Sequence, residues 1–273
     1  MRNRTRLNGP PAVEVLEDRR LLSAEVVNGT LVVVGTNGPD RITIWQQVGP
    51  NGLEIHVVME ALLFGRPPET YQFPAEEIHS VLVRALAGDD AVNLFPAPGA
   101  AGPGPVANAD AVPIIGPLST PSRVVAGFGN DAVTGGDGRD VIFGGFGKDN
   151  ISGGRGNDWI DGGWGDDVLW GNEGNDYVSG SYGNDSVFGN DGDDHLFGGA
   201  GNDHVGFNGF GPLNSEPGND VLFGGPGEDW MVGGQGKDRI FGGTGRDHWS
   251  LEDDDSEMLD RTPNEPKDVP VGV

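Results

Sequence analysis

Residues 135–152 read GGDGRDVIF followed by GGFGKDNIS, two units of nine residues with the same layout. Each has Gly at positions one, two and four, Asp at position six and an apolar residue at position eight. The layout covers 126–250 in 13 units, nine of them before residue 207 and four from residue 215 onward. Position four is Gly and position six is Asp in every unit, which predicts a repeat architecture.

Each unit divides into a turn and a short strand. Glycine is unfavourable inside helices and strands because it loses the most conformational entropy there, so the first six positions favour a tight turn. The last three positions can form a strand whose central apolar side chain points inward. Two successive units then make one full coil of the chain. Stacked coils would pair as parallel strands, which predicts an all-β fold, a parallel β-roll or β-solenoid.

The position-six aspartates would stack in columns along the two edges of this roll. Carboxylates one coil apart repel each other unless a cation lies between them. Ca²⁺ accepts carboxylate and carbonyl oxygens in flexible geometry, whereas Mg²⁺ demands a strict octahedron. The candidate metal ligands are Asp131, Asp140, Asp149, Asp158, Asp167, Asp176, Asp185, Asp194, Asp203, Asp220, Asp229, Asp238 and Asp247.

The unit resembles the G-G-x-G-x-D-x-U-x nonapeptide of the RTX (repeats-in-toxin) family, where U is apolar. The resemblance implies that several Ca²⁺ ions bind between successive turns, held by the position-six Asp and by backbone carbonyls of the turns. Aspartates two units apart, counted without crossing the break in the repeat, predict about nine ions. The carbonyls that we take as examples belong to Gly135, Gly144, Gly153, Gly162, Gly171, Gly180, Gly189 and Gly198.

Eight residues, 207–214, interrupt the repeat. One interpretation is a degenerate unit, since Asn208–Gly211 resembles positions one to four while Leu213 stands in place of the Asp. The other is a loop that leaves the roll. We favour the degenerate unit, and under either interpretation we expect calcium binding to be lost locally.

The front half contains two imperfect copies of the unit, at 35–43 and 85–93, with Asp40 and Asp90 at position six. Strand-like runs lie around them, so we predict that 25–94 forms a degenerate β-solenoid cap over the N-terminal end of the roll. Calcium binding at these two aspartates stays open, because neither has a partner at the regular spacing of two units. Residues 95–122, rich in Pro, Ala and Gly, are predicted to form a flexible or extended loop.

Composition excludes several classes of partner and site. The chain carries a net charge of -25, and 126–250 holds 21 acidic against 6 basic residues. Nucleic acids and anionic membranes are therefore excluded because their phosphates would be repelled. The absence of Cys excludes disulfides and thiolate metal sites. No apolar run is long enough for a transmembrane helix.

The two ends differ in charge and in the signals they suggest. Residues 1–24 lack the apolar region of an ordinary signal peptide. Within them, Val15–Ala24 (VLEDRRLLSA) resembles the LEPR-x-LL-type segment that opens many surface proteins of planctomycete bacteria, which implies export. A short amphipathic tail is the alternative interpretation. The acidic C-terminal tail, 251–273, lacks the central Gly and final Glu of an EF-hand loop.

The chain shows no catalytic motif, and its nearest approach to a zinc-protease motif, Glu76–His79, lacks the second His. We therefore predict a non-enzymatic, exported calcium-binding β-roll, extracellular or on the cell surface. Its role would be structural or adhesive, with surface polysaccharide or protein as candidate partners. The alternative is a solenoid enzyme, a lyase or epimerase of polysaccharides, with its site on the front half.

Two sets of side chains in the repeats have both a packing and a binding interpretation. Position seven carries histidines that we interpret as surface residues rather than metal ligands: His195, His204 and His248. Position nine carries aromatic residues that would pack between stacked strands or, less favourably, bind a partner: Phe143, Trp170, Phe188, Phe197, Phe223 and Phe241.

Overall fold

The computed structural model describes residues 22–49, 52–62, 67–94, 115–116, 118–206, 218–250, 257–258 and 269–270. The front half contains β1 (Ser23–Val27), β2 (Thr30–Val34), β3 (Asp40–Gly49), β4 (Gly52–Ala61), β5 (Glu69–Pro74), a short 3-10 helix (Ala75–Glu77), β6 (Ser80–Ala87) and β7 (Ala91–Asn93). The strands up to residue 206 are β8 (Ile115–Gly116), β9 (Ser122–Phe128), β10 (Ala132–Thr134), β11 (Val141–Phe146), β12 (Asn150–Arg155), β13 (Trp159–Trp164), β14 (Val168–Glu173), β15 (Tyr177–Tyr182), β16 (Ser186–Asp191), β17 (His195–Ala200) and β18 (His204–Gly206). The remaining strands are β19 (Val221–Pro226), β20 (Trp230–Val232), β21 (Arg239–Thr244), β22 (His248–Ser250), β23 (Glu257–Met258) and β24 (Val269–Pro270).

The chain alternates between two stacked sheets. Sheet A has the order β1-β2-β6-β9 and then the odd-numbered strands to β23, and sheet B runs from β24 through the even-numbered strands to β10 and then β7-β3-β4-β5. From β9 to β17, neighbouring strands in each sheet are parallel, with partners two units apart, for example Val141 with Trp159 and Asn150 with Val168. This pairing confirms the all-β parallel roll predicted from the period.

The core of the roll is one side chain thick. Position eight points inward in each strand, and Ile142, Ile151 and Ile160 have no exposed surface. Their neighbours at positions seven and nine face outward and stay half-buried or exposed. The front half has a broader core, with residues such as Ile44, Ile55 and Met59 almost fully buried.

The front half continues both sheets through longer coils. The strand β6 pairs in parallel with β9, and β3 pairs in parallel with β7, which in turn pairs with β10. Antiparallel strands are inserted between these steps: β3 pairs with β4, and β4 with β5. The stacking of the roll therefore extends into residues that lack the regular repeat.

The interruption after β18 does not shift the strands. His195 pairs with Val221 and His204 pairs with Trp230, so β17 meets β19 and β18 meets β20 directly. A degenerate unit would have placed a further half-coil between them and moved β19 to the other sheet. The favoured interpretation is therefore wrong. The eight additional residues fall within 207–217, outside the described part of the chain.

Several predicted segments lie mostly outside the described residues. They are the N-terminal segment 1–24, the loop 95–122 and the acidic tail 251–273. Their boundaries, and that of the cap at 25–94, stay predictions. Among the described residues, no helix has the length and apolarity needed to cross a membrane.

Position four of the unit requires glycine for a steric reason. Gly147 and Gly165 have φ values of +129° and +140°, and a Cβ on Gly165 would collide with the carbonyl oxygen of Gly147 one coil away. Position two also has positive φ, yet it holds Asn172 and Ser181 at +82° and +79°. Successive turns thus touch through the backbone at position four, which explains why that glycine is invariant.

We expect Gly165→Asn to lower the free energy of unfolding of the calcium-loaded protein by at least about 1–3 kcal/mol, the order of strain for a non-glycine residue in such a conformation. The matched control, Gly163→Asn, changes position two, where a Cβ would meet the carbonyl oxygen of Gly145 less closely than a Cβ on Gly165 meets that of Gly147. It should cost less, because Asn172 and Ser181 show that position two accommodates a side chain. Urea unfolding followed by circular dichroism in saturating Ca²⁺ measures both. Equal losses for the two variants would contradict the steric explanation.

Candidate calcium-binding columns

The position-six aspartates close each turn immediately before a strand begins. Except in the last coil, the backbone N–H of each donates a hydrogen bond to the carboxylate of the aspartate one coil further on. Examples are the bonds from Asp149 to Oδ1 of Asp167 and from Asp158 to Oδ1 of Asp176, both at 2.8 Å. These bonds link the predicted aspartates into two columns. The long column contains Asp131, Asp149, Asp167, Asp185, Asp203, Asp229 and Asp247, and the short column contains Asp140, Asp158, Asp176, Asp194, Asp220 and Asp238.

Both columns pass the interruption of the repeat. The N–H of Asp194 donates to Oδ1 of Asp220 at 2.8 Å, and the N–H of Asp203 donates to Oδ1 of Asp229 at 2.9 Å. The expectation that calcium binding is lost at the interruption therefore has no support in the geometry of the columns. The count of about nine ions had omitted both of these pairs.

The long column also extends into the front half. The N–H of Asp90 donates to Oδ1 of Asp131, and the N–H of Asp40 donates to Oδ1 of Asp90, both at 2.7 Å. The separations are 41 and 50 residues, against 18 in the regular repeat. A search for partners at the regular spacing missed these contacts, because inserted strands lengthen the two coils.

The column aspartates are buried, with at most 3 % of their surface exposed. In many of them Oδ1 accepts the backbone hydrogen bond of the preceding coil, while Oδ2 is buried without a hydrogen-bond partner. Burying an ionised carboxylate without compensation is costly, so these atoms mark places where a cation would be stabilised. Within the described residues they include Asp90, Asp131, Asp149, Asp158, Asp167, Asp176, Asp185, Asp203 and Asp229.

The N-terminal end of each column is different. Both oxygens of Asp40 accept hydrogen bonds from Thr36, from its backbone N–H at 2.5 Å and its hydroxyl at 3.1 Å. Both oxygens of Asp140 accept backbone hydrogen bonds, from Gly136 at 2.8 Å and from Ser122 at 3.0 Å. Each column thus begins with a carboxylate whose oxygens are satisfied by the chain itself.

The predicted glycine carbonyls lie beside the unpaired carboxylate oxygens. A Cβ placed on Gly153 would lie 2.5 Å from Oδ2 of Asp158 and 2.8 Å from the carbonyl oxygen of Gly171, the position-one residue of the next coil. Strand pairing skips this position, so that in sheet A Phe143 pairs with Asp161 and the next pair is Gly145 with Gly163. The space that glycine leaves open at position one thus brings a carboxylate oxygen and a backbone carbonyl oxygen close together, and oxygen ligands are what a hard cation requires.

No described group of three or more Asp, Glu or His side chains forms a metal site by itself. A cation in a column would therefore be held by carboxylates of successive coils and completed by backbone carbonyls, and the oxygen-only donor set fits Ca²⁺.

A family model described as the RTX calcium-binding nonapeptide repeat matches the chain four times, at 123–151, 143–178, 170–205 and 215–248. Residues 123–248 carry RTX calcium-binding repeats. The two columns of this RTX roll coincide with the matched residues, while Asp40 and Asp90 precede them. No curated protein and no solved structure matches the chain.

Burial raises the pKa values of the aspartates in the RTX roll. The pKa of Asp158 rises to about 8, chiefly because burial disfavours its charged form and secondarily because Asp140 and Asp176 lie nearby. The pKa values of Asp131 and Asp185 rise to about 7 for the same two reasons, with Asp149 next to the first and Asp203 and Asp167 next to the second. Without a cation, the folded roll therefore favours protonated columns.

A second set of polar contacts in the RTX roll was not predicted. Position-five side chains accept the backbone N–H of position five in the next coil, as Asn130 does from Lys148 at 2.8 Å and Asp193 does from Asn219 at 2.8 Å. The frequency of Asn and Asp at position five was the available signal. These contacts satisfy backbone donors at the turn surface, so their role is to hold neighbouring turns together.

The remaining candidate side chains are placed as follows. His195 lies in sheet A and His204 in sheet B, so they do not form a joint metal site. The aromatic rings at position nine stack between coils, with centroid distances of 4.8 Å for Phe197 with Phe223 and 4.6 Å for Phe223 with Phe241. The packing interpretation of position nine is confirmed.

The pKa shifts predict that the metal-free RTX roll loses stability as pH rises. Unfolded aspartates release their protons near pH 3.8, whereas the folded columns hold protons up to pH 6–8. The folded state thus binds more protons between these values, and the free energy of unfolding must fall across that range. We expect the metal-free chain in chelator to contain more β-structure at pH 5.5, where the columns are protonated, than at pH 8.

Calcium should reverse the trend, because it competes with the same protons and binds more tightly at pH 8. Far-UV circular dichroism spectra at both pH values, with and without Ca²⁺, provide the comparison. A metal-free chain that gains β-structure as pH rises would contradict the buried, unpaired carboxylates.

Proposed function

We propose that this protein is an exported calcium-binding β-roll that folds as Ca²⁺ fills its aspartate columns and has a structural and adhesive role outside the cell. The observation that supports it most directly is the buried, unpaired carboxylate oxygen that recurs from coil to coil. These oxygens are stable in the ionised form only with a cation beside them.

The coupling between calcium and folding follows from charge and core thickness. The repeat segment holds 21 acidic and 6 basic residues and buries one apolar side chain per nine-residue unit. A chain of this kind stays expanded without its counter-ion. Ca²⁺ neutralises the columns, and the binding free energy then becomes folding free energy.

The proposed ligands are the 13 position-six aspartates with the position-one carbonyls of the next coil. Two pairs bridge the interruption, Asp194 with Asp220 and Asp203 with Asp229, and they raise the expected number of ions within the repeats from about nine to about eleven.

Export is consistent with the calcium levels on either side of a membrane. Extracellular calcium modules bind with dissociation constants of about 10⁻⁴–10⁻³ M, well above cytosolic concentrations. The chain would therefore stay unfolded inside the cell and fold outside. The segment Val15–Ala24, which resembles an export-associated segment of surface proteins, supports the same location.

We expect Ca²⁺ to convert the metal-free chain into a β-rich fold in one cooperative step, with a midpoint of about 10⁻⁴–10⁻³ M. Asp158→Asn should raise that midpoint several-fold, because it removes a column charge. Asp161→Asn is the matched control, since it removes the same charge from the outer face of the strand that follows, outside the column. Far-UV circular dichroism during a calcium titration measures all three proteins.

Three results would contradict the proposal. The first is a chain that is already folded in chelator at neutral pH. The second is a calcium midpoint at cytosolic levels, which would remove the reason for folding outside the cell. The third is an equal shift of the calcium midpoint by Asp158→Asn and Asp161→Asn, which would show that folding does not depend on calcium binding to the columns.

The adhesive role has a candidate surface on the outer face of sheet A. Four aromatic residues at position three, Phe128, Phe146, Trp164 and Tyr182, are 48–60 % exposed and stack in succession with centroid distances of 4.9, 6.1 and 4.3 Å. A row of exposed aromatic side chains on a protein surface is typical of an interaction site.

The same turn position in sheet B shows that the fold does not require these rings. Its occupants there are polar or charged: Asp137 at the edge of the row, followed by Arg155, Glu173 and Asp191. Arg155 and Glu173 form an exposed ion pair at 3.1 Å. The face that carries the aromatic row is therefore the better candidate for contact with an uncharged surface polysaccharide.

We expect the double variant Trp164→Ala/Tyr182→Ala to lose most of the binding of the calcium-loaded protein to insoluble uncharged polysaccharides such as cellulose and chitin. The matched control, Glu173→Ala/Asp191→Ala, changes the same turn position on sheet B and should bind as the unaltered protein does. Co-sedimentation measures binding, and circular dichroism verifies folding. Equal binding by the two variants, or no binding by the unaltered protein, would contradict this surface.

The alternative, a solenoid enzyme, has weaker support. The front half carries one ion pair, Arg41 with Glu60 at 2.9 Å, and a contact between Glu54 and His56 at 3.4 Å. Burial lowers the pKa of His56, which favours its neutral form. A lyase or epimerase needs acid, base and cation side chains gathered at one place. The described residues of the front half show pairs instead of such a cluster, so we rank this function second.

A further inference from the structure

Asp90 lies at the boundary between the front half and the repeats, before the first residue matched by the repeat family. It is 2 % exposed and lies in the long column between Asp40 and Asp131. Its Oδ1 accepts the backbone N–H of Asp40, as column carboxylates do from the preceding coil throughout the roll. Asp90 therefore occupies a column position although the sequence around it lacks the regular spacing.

The second oxygen of Asp90 shares the defining feature of the column. Oδ2 is buried and has no hydrogen-bond partner among the described residues. The nearby charges that disfavour its ionised form are the carboxylates of Asp131, Asp40 and Asp89. An ionised carboxylate in such a place is stable only with a bound cation.

The coil that precedes Asp90 has the same oxygen-lined space as the repeats. A Cβ placed on Gly35 would lie 2.6 Å from Oδ2 of Asp40 and 2.7 Å from the carbonyl oxygen of Ala85. The corresponding distances at Gly198 are 2.6 Å to Oδ2 of Asp203 and 2.8 Å to the carbonyl oxygen of Gly224. The agreement shows that the front half builds this arrangement beside Asp40 without the nonapeptide, while position one of the unit that contains Asp90 is Ala85.

We propose that Asp90 is a ligand of a Ca²⁺ ion outside the matched repeats, held with one neighbouring column carboxylate and with backbone carbonyls. This ion joins the front half to the roll across coils of 41 and 50 residues. It extends the calcium dependence of the repeats to β3 and β7, which flank Asp90 in sheet B. The inference rests on the proposed function, since it assumes that the columns bind calcium.

The test compares Asp90→Asn with Asp89→Asn. An asparagine at 90 keeps an oxygen that can accept the N–H of Asp40, so the variant removes the charge and spares the hydrogen bond. Asp89 is the adjacent residue, is exposed, and accepts the N–H of Asn130 at 2.9 Å through an oxygen that asparagine also supplies. The two variants therefore have the same change in charge and composition.

We expect calcium-loaded Asp90→Asn to bind at least one ion fewer than Asp89→Asn in native mass spectrometry. We further expect hydrogen exchange of 40–49 and 91–93 to slow on calcium addition in Asp89→Asn and to respond much less in Asp90→Asn.

The outcomes separate this inference from the proposed function. Equal ion counts and equal exchange in the two variants would overturn the Asp90 site while leaving calcium binding by the repeats intact. An Asp90→Asn protein that fails to fold in saturating calcium would show a structural role and would also overturn it. Absence of calcium uptake by the unaltered protein would instead overturn the proposed function.

Discussion

Repulsion between buried carboxylates one coil apart is the constraint on which this structure depends. Two unit charges about 4.8 Å apart repel by about 3 kcal/mol at an effective dielectric constant of about 20. Burial of a position-eight side chain contributes only about 1.5–3 kcal/mol. The two magnitudes are comparable, so the apolar core cannot hold the ionised columns together by itself. Protons or cations must compensate the charge, which explains why folding, pH and calcium are linked in one molecule.

Much of the roll could be predicted because its period is local. The glycine at position four, the Asp at position six and the apolar residue at position eight recur within each unit of nine, and each has a separate physical reason. Steric contact between turns requires the glycine, the column requires the Asp, and the core requires the apolar side chain. The prediction of two sheets, two edges and a coil of two units followed from these three residues.

The features that were not predicted depend on which coils stack on each other, and not on the number of residues between them in the sequence. Asp40 and Asp90 join the long column because β3, β7 and β10 lie side by side, although the chain between them is lengthened by antiparallel strands. The interruption at 207–214 was misread for the same reason, since a count of residues suggested a half-coil where the strands pair directly. At position five the sequence shows only that Asn and Asp are frequent. Their role, accepting a backbone N–H of the next turn, is visible only when the turns are stacked.

The longer step between paired strands at the interruption has a consequence for how this architecture could be modified. Loop closure depends weakly on length, with each doubling costing about 0.6 kcal/mol. The paired strands on both sides of the interruption keep their register, although their separation is 26 residues instead of 18. The connection between β18 and β19 is thus a suitable place to insert a foreign peptide, because additional residues there leave the pairing of the neighbouring strands unchanged.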